Sequence, residues 1–394
     1  MTMTSLTAAA VVVGGELNGL GVVRSLAAGG VPVVVVETSA EKAAVWSRHA
    51  KTCLVPSFEG REFVDCLIRL AAGFPDRPVL LLTDEFAVHS ASQYRDLLVP
   101  YYRLRLPDHD MVRLLSDKAR FQAFAEANAF PVPRTATLDS MEDLERLANL
   151  RYPAVIKPND KRTVLAGAAE RAQRVASLRE AIAACGRMLR QPGGIVVQEW
   201  IEGPECSIYF TLFYRGRGGL PVSLFTGRKL LCFPRDIGST AVCMAAPQAR
   251  QHLEAMTMAF ADRAGFQGLG SMEYKWDEAR AEFVMIEPTV GRTDWQEEIA
   301  TLCGVNIPLA AYRHELGLPQ AAASTPDPCV AWQASYAQRL PRAHLPPNTR
   351  VHNGYWRLSD PLPAWSYYVL GGAPKRLFKR WLNPDVAGRR VAKQ

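Results

Sequence analysis

The stretch "AAAVVVGGELNGLGVVRSLAAGGVPVVVVET", residues 8–38, constrains the fold of this chain more than any other. Its two β-branched runs show no polar alternation, so neither face of either strand is suited to water. Such strands belong to a parallel sheet covered on both sides. A glycine turn and an apolar helical stretch lie between them, which makes a strand–helix–strand unit. "RPVLLLTDEF" supplies a later strand of the same sheet and ends in Asp84 and Glu85.

Ligands of open α/β sheets bind outside the carboxyl ends of the strands. The opening segment therefore predicts a Rossmann-like domain over residues 1–112, with its working edge at the glycine turn. A dinucleotide site wants G-x-G-x-x-G. Gly14, Gly15, Gly19 and Gly21 do not fall in that pattern. The turn reads instead as a helix N-terminus facing a carboxylate or phosphate of a substrate, with Glu16 and Asn18 beside it. The first residues have no basic segment ahead of the apolar run, so they read as a strand and not as a signal peptide.

At 394 residues the chain exceeds what one core usually serves. Its eight cysteines include no C-x-x-C pair, which argues against a zinc site or a disulfide framework and for a cytoplasmic protein. The net charge of +7 is unevenly placed. From Lys375 onward there are seven Lys or Arg and one Asp, and the rest of the chain is close to neutral. A basic tail on a neutral body does not predict a nucleic-acid partner.

Beyond residue 112, Ser116 or Asp117 is placed to cap a helix running to about Asn128. "YPAVIKPND" is a short strand carrying Lys157. "VASLREAIAACGRMLR" is helical by its apolar spacing. "GGIVVQEWIEGPECSIYFTLFYRG" reads strand, turn, strand, and "ARQHLEAMTMAFADRAGF" is another helix. "GLGSMEYKWDEARAEFVMIEPT" gives two strands joined by a polar turn, with Glu287 delivered to the end of the second. "LPQAAASTPDP" reads as a linker near residue 320.

Taken singly, Lys157 is a strand-edge lysine, Glu205 a turn residue, and Glu273 and Glu287 surface carboxylates. Their order changes the weighing. Two lysines, Lys118 and Lys157, precede an apolar strand that runs into "QEWIEGPE". Glu273 and Glu287 then sit on paired strands, and since side chains alternate along a strand, neighbouring strands can point both into one cavity. Lysines serve phosphate oxygens as point charges. Mg²⁺ is held by one or two carboxylates plus substrate phosphates. The series fits Mg·ATP.

These stretches, "LLSDKARFQAFAEANAFPVPRT", "YPAVIKP", "VVQEWIEGPE", "GSMEYKWD" and "FVMIEP", resemble in order those of the ATP-grasp ligases. "VVGGELNGLGVVRSL", "GRKL…FP…GST" and "SDPLPAW" resemble the carboxylate–amine ligases that include D-aspartate ligase. The resemblance implies an α/β chain with an N-terminal Rossmann-like pre-ATP-grasp domain followed by a two-lobed ATP-grasp fold. The lobes would span 113–197 and 198–319, and 320–394 would form a C-terminal extension. It implies ATP and Mg²⁺ as cofactors. Lys118 and Lys157 would bind phosphates, Gln198 with the backbone of Trp200 and Ile201 the adenine, and Glu205 the ribose. Glu273 and Glu287 would ligate Mg²⁺, although Thr289 stands where many relatives place a metal-binding Asn. Arg292, Arg228, Lys229 and Lys157 would share the charge of the reacting phosphate. The alternative for Arg292 is a structural pair with Asp294.

The implied reaction joins a carboxylate to an amine through an acyl-phosphate. The substrates would be small molecules or cell-envelope precursors. Their identity and the oligomeric state stay open. The competing expectations are a nicotinamide-dependent oxidoreductase built on residues 1–110, and a non-catalytic ATP-grasp module. The tail "PKRLFKRWLNP" reads either as a helix packed on its own domain or as one lying in an anionic membrane surface.

Overall fold

Strands β1 (Ala10–Val13), β2 (Val33–Glu37), β3 (Ala50–Leu54) and β4 (Val79–Leu82) form a parallel sheet in the order β3-β2-β1-β4. The computed structural model describes residues 8–159, 172–190, 194–235, 238–322, 324–338 and 340–370. Alternate residues of β1 and β4 enter two different cores. Val11, Val13, Leu80 and Leu82 face one, and Ala10, Val12, Val79 and Leu81 the other. Helix α1 (Leu17–Ala28) covers the second core with Leu20 and Val23. Helix α2 (Gly60–Ala71) covers the first with Phe63, Val64 and Leu67. Both faces are therefore buried, as the unbroken valine runs require. The strand order reverses between β1 and β4, so the crevice of this sheet opens at Gly14 and Thr83.

Helix α3 (Glu85–Gln93) begins directly after β4, and Asp84 caps it by accepting the N–H groups of Phe86 and Ala87. The short α4 (Arg95–Leu98) and α5 (His109–Ser116) lead to α6 (Lys118–Ala127). Asp117 is the cap of α6, accepting from Arg120 N–H at 2.8 Å.

A second, antiparallel sheet follows in the order β5-β8-β6-β7: β5 (Thr135–Leu138), β6 (Ala154–Pro158), β7 (Gln173–Val175) and β8 (Ile195–Glu199). With α7 (Leu178–Met188) it encloses a core of its own, built on Leu138, Ile156, Cys185 and Val197.

The third sheet has seven strands in the order β13-β12-β9-β10-β11-β14-β15. Its members are β9 (Ile208–Arg215), β10 (Pro221–Phe233), β11 (Ser239–Ala245), β12 (Gly268–Asp277), β13 (Glu282–Val290), β14 (Val330–Gln333) and β15 (Arg350–Asn353). Its two faces join the two cores of the first sheet: Phe210 and Leu212 enter one, Phe213 and Met272 the other. Helix α8 (Arg250–Arg263) packs on the second face. Its Phe260 meets the rings of Phe121, Phe124 and Phe130 edge-on at 5.8, 5.6 and 5.3 Å, which fixes α6 in place. Helices α9 (Glu298–Leu302) and α10 (Ile307–Glu315) pack against α1.

Residues beyond 320 do more than extend the chain. Strand β14 pairs with β11 and β15 with β14, and α11 (Leu362–Trp365) returns to the first domain. A buried ionic hub fastens this return. Arg24 of α1 binds Asp360 at 3.0 Å and the carbonyls of Gly354 and Tyr355 at 2.6 and 2.9 Å. Glu298 of α9 accepts from Trp332 Nε1 at 3.2 Å and pairs with Arg357 at 2.9 Å.

Some segments singled out in the sequence lie partly or wholly outside the described residues, two of them bearing on function. These two are the "GRKLLCFPRDIGSTA" loop at positions 236–237, and the basic tail.

Candidate functional site

Glu273 on β12 and Glu287 on β13 are direct cross-strand partners, so their side chains leave the same face of the large sheet. Two carboxylates directly opposite each other repel. Lys229 on β10 answers this charge, with Nζ 2.5 Å from Glu273 Oε2. Burial alone would lower the Lys229 pKa. The Glu273 carboxylate, aided by Cys232 and Asp294, raises it instead, so the ammonium persists in a buried position. Glu287 does not end its strand as expected. Strand β13 continues to Val290 because Ser271 and Gly270 go on pairing with Thr289 and Val290. Thr289 is buried two residues beyond Glu287, on the same face.

Arg228, grouped with Lys229 in the sequence, departs from it. Successive side chains of a strand point to opposite faces. Arg228 pairs across the sheet with Tyr209 and Met244, and its guanidinium lies 3.9 Å from Met244 Sδ. Strand geometry therefore assigns only Lys229 to the carboxylate pair.

Lys157 lies on β6, and its Nζ donates to Gln198 Oε1 of β8 at 3.1 Å. Gln198 in turn donates to Thr135 Oγ1 at 3.2 Å, so two of the predicted residues share one polar chain on the small sheet. Lys118 starts α6 at a junction held by Asn159. That side chain accepts from Ala119 N–H at 3.1 Å and donates to Asp117 at 3.0 Å. Lys118 and the strand of Lys157 thereby become neighbours. The N–H of Trp200 donates to Pro153 O at 2.9 Å and is used inside the protein. Ile201 is buried next to it.

Lys275 escaped the sequence reading. It follows Glu273 by two residues on β12 and so shares its face. Its ammonium lies 4.9 Å from the Trp200 ring, whose surroundings also include Arg174 of β7 at 5.3 Å. The indole thus joins the small sheet to the large one. A second link is the buried Glu199 of β8, which pairs with Arg280 in the β12–β13 turn. Glu205 belongs to the same neighbourhood. The charges of Lys229, Glu273, Glu205 and Lys275 all bear on Cys232, a thiol that burial above all pushes up to about 12.

Arg292 follows Gly291, which has φ +69° and whose added Cβ would strike Val88 and Leu106 at 2.8 Å. This turn carries Arg292 to the crevice of the parallel sheet, where its backbone bridges Leu82 of β4. The guanidinium lies 3.5 Å from Glu85 rather than on Asp294. Asp294 instead accepts from Trp295 N–H and Gln296 Nε2. Asp84 next to Glu85 has a raised pKa. Burial is the main cause, and the N–H of Ala87 and the charge of Arg292 only partly oppose it.

The glycine turn is closed by its own chain. Glu37, buried at the end of β2, accepts the N–H of Gly15 and that of Thr38. Asn18 donates to Thr83 O at 3.1 Å and Thr293 O at 2.9 Å, and accepts from Thr293 Oγ1 at 2.7 Å. One amide hydrogen thus holds the 291–296 segment and the other the end of β4, so both are used inside the protein. Glu16 is half-exposed and paired with Lys42.

Among the described residues no three His, Cys, Asp or Glu side chains are placed to hold a metal ion by themselves. A polar hollow of about 260 Å³, lined by Arg95, Arg105, Asp108 and Gln267 among others, includes none of the candidate residues. No helix of the described residues is long and apolar enough to cross a membrane.

No protein-family model matches the sequence. Among curated proteins, the D-alanine–D-alanine ligase of Pseudomonas putida (strain GB-1) is 26% identical over 188 residues, which is 46% of this chain and 57% of the relative. The chain thus spans a little over half the length of the curated relatives it matches. Among solved structures, an N5-carboxyaminoimidazole ribonucleotide synthetase in complex with ADP superposes with a TM-score of 0.63 at 14% identity. The match covers 81% of this chain and 80% of that one. The biotin carboxylase domain of the Hydrogenobacter thermophilus 2-oxoglutarate carboxylase, in complex with MgADP, ADP and bicarbonate, gives 0.61 at 17% identity, with 80% and 71% covered. The parallel domain, the small antiparallel sheet and the large sheet that carries the opposed carboxylates are together the ATP-grasp fold, and this chain has it.

Proposed function

We propose that this chain is an ATP-dependent carboxylate–amine ligase. The observation that carries the reading is the direct opposition of Glu273 and Glu287 on one sheet face, with Lys229 on Glu273. Two carboxylates without a third protein ligand among the described residues suit Mg²⁺, which completes its shell from water and substrate phosphates. Glu273 and Glu287 would hold the ion, which when bound draws charge from the β- and γ-phosphate oxygens. Lys118 and Lys157 face the phosphates as point charges. Gln198 and Ile201 read the adenine edge, since the Trp200 N–H is committed to Pro153. Glu205 takes the ribose hydroxyls. In this reading residues 113–197 and 198–319 are the two lobes of a cytoplasmic enzyme.

A substrate carboxylate oxygen attacks the γ-phosphorus, and the bond from that phosphorus to the bridging oxygen of ADP breaks. The amine nitrogen of the second substrate then attacks the acyl carbon. The C–N bond forms, the C–O bond to phosphate breaks, and the amine loses a proton. The protein supplies position and charge and no nucleophile. Lys229 neutralises oxygens on the transferred group. Arg292, held at the crevice by Glu85, grips the carboxylate or acyl-phosphate with its planar fork. The substrate pair is a small-molecule or cell-envelope carboxylate and amine.

An oxidoreductase on the first domain fits poorly, because the Glu37 carboxylate already fills the glycine turn where a pyrophosphate would bind. The test is ADP release from ATP over a panel of carboxylate and amine pairs. Release that needs both partners is expected. ATP binding by calorimetry with no release from any pair would point to a non-catalytic binding module.

A further inference from the structure

The Arg292 guanidinium is held at two points. Its Nη1 donates to Thr293 O at 3.2 Å, and its Nη2 lies 3.5 Å from Glu85 Oε2. Both points lead to one side chain of the first domain. Asn18, on the first turn of α1, donates one amide hydrogen to the same Thr293 O at 2.9 Å. It donates the other to Thr83 O at 3.1 Å, two residues before Glu85. Its Oδ1 accepts from Thr293 Oγ1 at 2.7 Å. These partners fix the orientation of the amide, since a flipped one would set its oxygen against two carbonyl oxygens. Asn18 and Thr293 are both buried, so water has little access to the three bonds.

Other contacts hold the chain on either side of this point. Gly291 is wedged between Val88 and Leu106, the backbone of Arg292 bridges Leu82, and Gln296 accepts from Thr240 Oγ1 at 3.0 Å. The Asn18 bonds act between these anchors, on the carbonyl that Arg292 itself uses. Holding α1 in place does not require them. That helix is already fastened by the pairing of Arg24 with Asp360, by its packing on α9 and α10, and by Asn306, which donates to Ser25 O at 2.7 Å. What the clasp adds is a fixed Thr293 carbonyl, and with it a fixed direction for the guanidinium.

We infer that Asn18, through Thr293, is a positioning residue for Arg292. The first domain thereby sets the aim of a group that works on the large sheet's side of the crevice, and Asn18 acts through Arg292 and not on the substrate. The inference rests on the ligase reading, in which Arg292 grips the carboxylate or acyl-phosphate with its planar fork.

The test is ADP release over the panel of carboxylate and amine pairs, beside ATP binding by calorimetry. Thr293→Val removes one buried donor at nearly constant shape, and Asn18→Ala removes all three bonds. Both should lower kcat, Asn18→Ala by up to about 10²-fold, the scale of a misplacement near 1 Å. ATP affinity should stay that of the parent. Thr293→Ser keeps the hydroxyl and should restore most of the rate. A double-mutant cycle decides the route. In an Arg292→Lys background, Asn18→Ala and Thr293→Val should cost almost nothing further, because the fork they position is already gone. Circular dichroism checks that each variant keeps the parent's fold, and where Asn18→Ala does not, Thr293→Val carries the same cycle. Equal fold losses with and without Arg292 would overturn the inference, as would a parent-like kcat in the folded variants. A parent that turns over no pair would overturn the ligase reading itself, and this inference with it.

Discussion

Two sets of carboxylates in this molecule have opposite surroundings. Around Glu298 and Asp360 the chain assembles Arg24, Arg357, the Trp332 indole, Ser47 Oγ and the Arg48 N–H, all pointing inward. These carboxylates are buried and richly satisfied by groups from three distant parts of the sequence. Glu273 and Glu287 face each other across two strands, with Lys229 on one of them, on a partly open face. The first arrangement uses charge to join parts of a structure. The second keeps like charges close, which is costly unless a cation answers it. Burial by opposite charge marks an anchor, and opposition of like charge at an open face is the feature on which the proposed metal site rests.

The largest expected effect breaks the anchor. Arg24→Met leaves Glu298 and Asp360 buried with one cation fewer, and such a loss costs about 3–5 kcal/mol. Urea unfolding should show it, while ADP release per folded molecule stays near that of the parent. A loss below about 1 kcal/mol would mean that Arg357 and the backbone donors carry the hub.

Glu287→Gln sharpens the other side of the comparison. It keeps the shape and removes the charge that would hold Mg²⁺. Turnover should fall on the order of 10²–10³-fold, the scale for removing a group that stabilises transition-state charge. Stability should hold or rise, because the repulsion with Glu273 disappears. A marked loss of stability with turnover intact would make the pair structural.

The smallest effect tests the border between the two sets. Glu297 is fully buried beside Glu298, and its Oε2 has no hydrogen-bond partner among the described residues. Burial, then the Glu298 charge, raise its pKa well above the ordinary 4.5, and the Ser25 hydroxyl opposes them only in part. A raised carboxyl pKa stabilises the fold fully below the unfolded value. That contribution is lost as pH climbs from about 4.5 through the folded value. Glu297→Gln cannot ionise. Near pH 5 it should match the parent within about 1 kcal/mol, and at higher pH it should lose less stability than the parent does. Parallel stability–pH curves for the two proteins would show that Glu297 does not titrate in this range.

The periodicity of the chain was enough for the parallel domain, because an unbroken β-branched run has few homes other than a doubly covered sheet. It was enough for the β12–β13 hairpin, but not for its working register: a β-bulge opposite the Glu273–Tyr274 step shifts the pairing by one residue and is what sets Glu287 across from Glu273. Lys275 was legible by strand alternation, two residues past Glu273, and was passed over. The faces of Arg228 and Lys229 also follow from alternation, and adjacency in the sequence obscured them. Other features had no local signal. Arg292 meets Glu85 across more than 200 positions, Arg24 meets Asp360 across more than 300, and Asn18 is used up by Thr83 and Thr293. Side-chain period is a property of a few neighbouring residues, so the sequence by itself determined which elements form and which residues of one strand share a face. Which distant elements meet depends on how the cores close, and only the tertiary structure decided that the 291–296 segment enters the crevice and that residues beyond 320 complete the large sheet.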